Sequence, residues 1–364
     1  MTLAMAKRMA SSSSTSRRVK IVEVGPRDGL QNEPSILPPQ TKISLIQKLI
    51  KAGCTNIETA SFVSPKWVPA MANAKDVVMG LHKWRCQQGS DTDTETECEI
   101  DTTTNSESQS KTQLHLEDVV FSVLTPNERG MLDALSCGDG AVNEVAIFAA
   151  ASETFSYKNL GCDIDTSMTR FTNVVDLAKE HNIPIRGYVS CVLGCPYEGH
   201  INTSNVAKVS EQLAQLGCHE ISLGDTIGVG TPHQTIRMLN EVQRAIDIEM
   251  IAVHFHDTYG QALANIYAAL GEGVQTIDSA VGGLGGCPYA KGASGNVATE
   301  DVVYMLNGMD IDCGIDLHEL IHASEYILNE LGKESNSKCG KALAAKLKDK
   351  ASSTSTAADG KICA

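Results

Sequence analysis

Short Val/Ile-rich runs alternate along this chain with longer segments whose apolar positions recur with a period near 3.6. Val19–Gly25 reads as a first strand, closed by Gly25-Pro26. Gln40–Ala52 carries apolar residues at Ile43, Ile46, Leu49 and Ile50, a helical stripe that stops at Gly53. Thr55–Phe62 is the next strand, with Glu58 inside it, and a helix is expected over Val68–Arg85. The exchange then repeats with strands Asp118–Thr125, Glu144–Ala150, Ile185–Val192, Glu220–Thr226, Ile251–Asp257 and Thr276–Val281. Helices Glu128–Ser136, Asp165–His181, Thr203–Leu216, Pro232–Ile246 and Gln261–Glu272 separate them. Eight strands alternating with helices predict an α/β fold of the (β/α)8 TIM-barrel type, whose functional groups gather at the carboxyl ends of the strands. The competing doubly wound sheet would want a GxGxxG turn after strand one, and Gly25-Pro26-Arg27-Asp28 is not that. An extra helix, Asp316–Leu331, falls outside the eight units and is expected to cap or extend the barrel.

Three stretches break the rhythm. Residues 86–117 dissolve into Ser, Thr, Asp and Glu with hardly an apolar side chain, so they cannot build core and are expected to form a disordered acidic insertion on a surface loop. The sharper alternative for them is an acidic partner-binding segment. Residues 1–18 pair Lys7, Arg8, Arg17 and Arg18 with a Ser-rich run and no acid, the composition of a transit peptide, against the plainer reading of an unstructured tail. Residues 333–364 are Lys-, Ser- and Ala-rich and are expected to be a flexible tail. The catalytic barrel therefore spans 19–332.

Composition narrows the class. A net charge of -14 argues against a nucleic-acid partner, and a phosphate-bearing substrate would need a local basic pocket. No run reaches the length of a membrane span. Twelve cysteines, without a secretory segment at the start, point to a mostly reduced intracellular protein rather than a disulfide framework.

Candidate chemistry concentrates at the predicted strand ends. His254 and His256 are two residues apart on a strand and share a face, a spacing that suits one cation or, less interestingly, two separately satisfied core histidines. A barrel brings them to Arg27 and Asp28 after strand one, Glu58 in strand two and Asp225 after strand six. Asp28, His254 and His256 make a mixed oxygen and nitrogen set with open positions, fit for Mg2+, Mn2+ or Zn2+, and the absence of an obvious thiolate disfavours a structural zinc. The loop Gly282–Asn296 is dense in glycine and reads as a lid that carries a thiol, Cys287. Asn296, just before the helix that holds Glu300, offers a neutral oxygen as a fourth ligand. The plain alternative for Cys287 is a small buried residue in a turn.

Several long motifs stand in order: Gly25-Pro26-Arg27-Asp28-Gly29-Leu30-Gln31-Asn32-Glu33, Ser61-Phe62-Val63-Ser64-Pro65-Lys66-Trp67-Val68-Pro69, Val189–Gly199 and Gly285–Asn296. With them the chain resembles the hydroxymethylglutaryl-CoA lyase family from about Val19 to Leu331. The resemblance implies a barrel dependent on Mg2+ or Mn2+ that cleaves 3-hydroxy-3-methylglutaryl-CoA to acetyl-CoA and acetoacetate, in leucine degradation and ketone-body formation. It implies Asp28, His254, His256 and Asn296 on the metal, Arg27 on the thioester carbonyl oxygen and Cys287 as thiol acid/base. The proton-taking base is left open between Asp28 and His254, and Glu58, Asp225 and Glu300 are expected in support. It also implies an acyl-CoA as the small-molecule partner, no nucleic acid or membrane, a homodimer, and a mitochondrial matrix location with the cytoplasm as alternative. Related metal barrels include acyl-CoA condensing synthases and carboxyltransferases, but the Gly-Gly-Cys-Pro-Tyr lid fits the lyase. A catalytically dead scaffold would lack the site residues. The insertion and the tail around Cys363 depart from the family and touch no motif.

Overall fold

Eight parallel strands pair in chain order, and the last closes onto the first. They are β1 Lys20–Glu23, β2 Asn56–Ser61, β3 Val120–Leu124, β4 Glu144–Ala150, β5 Ile185–Ser190, β6 Glu220–Asp225, β7 Ile251–Phe255 and β8 Thr276–Ser279. The computed structural model describes residues 18–89, 116–286 and 294–347. The strands are buried on both faces, packed inside the barrel and covered by helices outside, which is why they read as near-continuous Val/Ile runs. The covering helices bury the stripes that the periodicity predicted. The first, α1 Pro39–Lys51, turns Ile43, Leu45, Ile46, Leu49 and Ile50 inward.

The expected helix over Val68–Arg85 begins later and runs further, as α2 Ala74–Gly89, because Pro69 sets a 3-10 turn at Pro69–Met71. The acidic stretch expected as a disordered insertion lies, over residues 90–115, outside the described residues. Its flanks are described: the Arg85 guanidinium donates to Val119 O at 2.9 Å and to Asn143 Oδ1 at 3.0 Å. These flanks lie where helix feeds strand, at the amino ends of the strands, opposite the strand termini that carry the candidate chemistry.

α3 Glu128–Leu135 follows the pattern, but α4 Glu153–Leu160 was not expected. Its eight residues show no continuous apolar stripe; it is held by its cap, with Ser152 Oγ accepting from Phe155 N at 3.1 Å. α5 Ile164–Glu180, α6 Thr203–Leu216, α7 Pro232–Val242 and α8 Ala262–Glu272 complete the repeat. α9 Thr299–Asn307 covers the β8 end and α10 Leu317–Leu331 packs on α1, the extra helix in its expected place.

The expectation of a loose tail from residue 333 is corrected over 333–347. Asn336 donates to Gly283 O at 2.9 Å, Ser337 is fully buried and donates to Asp301 Oδ1 at 2.7 Å, and a helix follows over 338–347. Polar side chains that reach the Gly283 carbonyl and the Asp301 carboxylate hold this segment, contacts that an apolar count does not register.

Candidate active site and metal centre

After β1 the chain makes one tight turn: the Val24 carbonyl accepts from Arg27 N at 3.1 Å, Asp28 N at 2.7 Å and Gly29 N at 3.2 Å. Pro26 has no N–H to place and fits such a turn. Gly25 is required there, since a Cβ would stand 2.5 Å from Glu23 Oε1. The turn presents Arg27 and Asp28 side by side. Arg27 gives Nε to Glu58 Oε2 at 2.7 Å and Nη1 to Asp28 Oδ1 at 2.7 Å, and its Nη2 lies 2.6 Å from Glu58 Oε2. Burial opposes the guanidinium charge, but Glu58 and Asp28 more than offset it and raise its pKa. Glu58 keeps one buried oxygen, Oε1, without a partner among the described residues, and burial pushes its carboxyl up against the pull of Arg27.

Asp28, His254 and His256 come together as expected, with one donor atom from each within 4.8 Å of the others. His256 sits one residue beyond β7, where backbone pairing with Asn296 continues the strand. Burial alone would raise the Asp28 carboxyl, but Arg27, with both imidazoles and the Asn296 amide, draws it down to about 2. His256 is held down to about 4 by burial and by His254 beside it, so it is neutral and offers a lone pair. Its Nδ1 is buried with no hydrogen-bond partner among the described residues. An orphaned imidazole nitrogen beside an ionised carboxylate and a second imidazole fits a divalent cation, which would satisfy it. Asn296 spends its amide N–H groups on Asp28 Oδ2 at 2.9 Å and Leu284 O at 3.1 Å, which leaves its oxygen for that cation.

The Gly-rich loop is anchored as a hairpin. Gly286 pairs with Ser294, Asp257 N donates to Gly295 O at 2.7 Å, and Ser294 Oγ donates to Asp257 O at 3.1 Å. Gly285, at φ +101, needs to be glycine, since a Cβ would meet Asn296 Nδ2 at 2.7 Å. Cys287 lies outside the described residues, one position past this stem.

Asp225 and Glu300 are buried but serve the backbone rather than the cluster. Asp225 accepts from Gly230 N at 2.8 Å and Val229 N at 3.3 Å, fastening the turn after β6, and burial raises it to about 6. Glu300 accepts from Gly282 N at 2.9 and 3.0 Å at the root of the loop, and burial raises it to about 7. Glu23, which the sequence reading passed over, binds the two segments together: its carboxylate accepts from Gly25 N at 2.8 Å, Val281 N at 2.9 Å and Thr299 Oγ1 at 2.6 Å. Burial outweighs these three donors and lifts it to about 7. The folded chain thus holds a proton on Glu23 that the unfolded chain, near 4.5, has lost, so stability must fall as pH rises from about 4.5 to 7. This group alone contributes on the order of 3 kcal/mol to that fall. Glu23→Gln should flatten the slope of unfolding free energy against pH in that window; an unchanged slope contradicts the assignment.

Arg186, Tyr188 and Asp278 were also passed over. They close a buried ring beneath the cluster: Arg186 Nη1 donates to Tyr188 Oη at 2.8 Å, Tyr188 Oη to Glu58 Oε2 at 3.1 Å, and Asp278 Oδ2 lies 3.2 Å from His254 Nδ1. The available signal was an ionisable residue facing inward from an otherwise apolar strand.

A family model described as HMGL-like matches residues 18–327. A protein of Arabidopsis thaliana named hydroxymethylglutaryl-CoA lyase, mitochondrial, is 50% identical over 325 residues; the match covers 89% of this chain and 62% of that one. A Rattus norvegicus protein named 3-hydroxy-3-methylglutaryl-CoA lyase, cytoplasmic, is 49% identical over 324 residues, covering 89% of this chain and 84% of that one. Among solved structures, hydroxymethylglutaryl-CoA lyase from Pseudomonas aeruginosa superposes with a TM-score of 0.79 at 47% identity, covering 91% of this chain and 99% of that one. A match that runs through every strand of the barrel and takes in both halves of the Asp28/His254/His256 cluster leaves one conclusion: the chain belongs to the HMGL-like family.

Proposed function

We propose that this chain cleaves 3-hydroxy-3-methylglutaryl-CoA to acetyl-CoA and acetoacetate, with Mg2+ or Mn2+ held by Asp28, His254, His256 and Asn296. The observation that carries the reading is the neighbourhood of the three-donor cluster and Arg27 at the carboxyl ends of β1 and β7. Bound there, a divalent cation supplies Lewis acidity that eases deprotonation of a tertiary hydroxyl. The chain supplies the rest. Arg27, held rigid by Glu58 and Asp28, uses three of its five N–H groups on them and keeps two for the thioester oxygen, where negative charge builds as the bond breaks. The hydroxyl proton goes to Asp28, the candidate base that remains when His254 gives its lone pair to the cation. The departing enolate is protonated from the Gly-rich loop by Cys287.

Cys287→Ser should therefore keep fold and metal binding but lose about 10² to 10⁴ in turnover, because a thiol of pKa about 8.5 can give up a proton near neutrality and a serine hydroxyl cannot. Turnover near wild type, or a loss that traces to metal release, would make the cysteine structural. The function itself is tested by incubating purified full-length chain with 3-hydroxy-3-methylglutaryl-CoA and Mg2+ and quantifying both products. Equal amounts of acetyl-CoA and acetoacetate support it; consumption of acetyl-CoA with a 2-oxo acid instead would move the chain to the condensing synthases.

We infer a mitochondrial matrix location from the basic, Ser-rich residues 1–18. Residues 1–30 fused to a fluorescent reporter should carry it into mitochondria, and a cytosolic signal would refute this.

A further inference from the structure

Arg186 and Asp278 have no part in the proposed chemistry, yet each is only 1% exposed, an expensive depth for a charge. They come from β5 and β8, 92 residues apart. Arg186 grips Asp278 with both amino groups, Nη1 to Oδ2 at 2.9 Å and Nη2 to Oδ1 at 2.5 Å, while its Nε reaches Glu220 at 2.7 Å. Ser222 Oγ adds a donor to Asp278 Oδ2 at 2.7 Å. The same oxygen lies 3.2 Å from His254 Nδ1.

This arrangement decides which nitrogen of His254 carries the proton. An isolated carboxyl at such depth would be neutral. Here Arg186 supplies the counter-charge, and its two N–H groups with the Ser222 hydroxyl give Asp278 three donors, so its oxygens accept. A carboxylate so paired only accepts, so Nδ1 carries a proton, and Nε2, on the side of Asp28, is the nitrogen left to meet a cation. The bidentate grip also fixes the carboxylate plane, and with it the plane of the ring that donates to it.

We propose that Asp278, anchored by Arg186 and Ser222, is a positioning residue that sets the tautomer and ring orientation of His254 so that Nε2 meets the divalent cation. The proposal rests on Asp28, His254 and His256 binding such a cation. Carboxylates that orient a ligating imidazole typically contribute 10- to 100-fold to metal affinity.

Two measurements test it. In the metal-free, 15N-labelled full-length chain, at a pH above that at which His254 gives up its second proton, long-range imidazole correlations should show it as the Nδ1–H tautomer, its signal assigned by its loss in His254→Gln. An Nε2–H tautomer overturns the proposal, and this readout needs no substitution at Asp278 itself. Second, Asp278→Asn, checked for fold by circular dichroism, should bind Mn2+ about 10- to 100-fold more weakly than wild type by titration. Wild-type binding of Mn2+ with affinity unchanged in Asp278→Asn refutes the positioning role alone. A wild-type chain that takes up no Mn2+ refutes the metal site and the positioning role together. If Asp278→Asn fails to fold, the wild-type tautomer decides.

Discussion

His256→Ala should abolish metal retention and cut turnover by more than about 100-fold, since removing a ligand costs at least as much as disturbing a residue behind one. The variant is informative because the ring's other polar tie is to the Thr226 backbone, while its Nδ1 has no partner among the described residues. Removing the ring takes away an orphaned lone pair as well as packing, so the metal-free variant should fold. The difference should appear only when metal is added. Wild type at a Mn2+ concentration 100 times its Kd gains about 2.7 kcal/mol and a higher Tm, and His256→Ala gains neither. A variant that shows the same Mn2+-dependent rise in Tm would remove His256 from the site.

Arg27→Met should be the most damaging substitution to stability and chemistry together. The guanidinium stands between Glu58 and Asp28, and its side chain is only 7% exposed. Without it two carboxylates face each other at a depth where a broken ion pair typically costs about 3–5 kcal/mol. Part of that is recovered when Glu58, already pushed up by burial, takes a proton. Loss of the donors to the thioester oxygen should lower turnover by a further 10²- to 10³-fold, roughly what one oxyanion donor is worth. Urea unfolding and steady-state rates on the same preparation separate the two effects. A stable variant with wild-type turnover would show that Arg27 neither balances Glu58 nor meets the substrate.

Much of this was legible wherever a local rhythm carried it. β4 Glu144–Ala150 and α6 Thr203–Leu216 fall on the residues that periodicity alone assigns, and His254 and His256 declare themselves by sharing a strand face. Polar partnerships across the barrel were not legible. Glu23 meets Val281 over a separation of 258 residues and Arg186 meets Asp278 over 92, and no window along the chain contains both members. Within its own strand each looks like a charge that interrupts an apolar run; only closure of the barrel supplies the donors that Glu23 needs and the counter-charge that makes burial of Arg186 and Asp278 tolerable. Asp225 and Glu300, expected in support, give their carboxylates to backbone N–H groups of the loops that frame the cluster. Segment 333–347 was misjudged for a related reason, being held by Asn336 and Ser337 rather than by apolar burial.

Turnover of 3-hydroxy-3-methylglutaryl-CoA measured against bound metal per chain tests the central claim most directly. Full-length protein is stripped with a chelator, dialysed, and reloaded with Mn2+ in steps, with bound metal and product formation read from each sample. A single cation site in the Asp28/His254/His256 cluster predicts no cleavage in the stripped chain and a rate that climbs linearly to a plateau at one Mn2+ per chain. Cleavage that persists in the fully stripped chain, or a rate indifferent to bound metal, would contradict it.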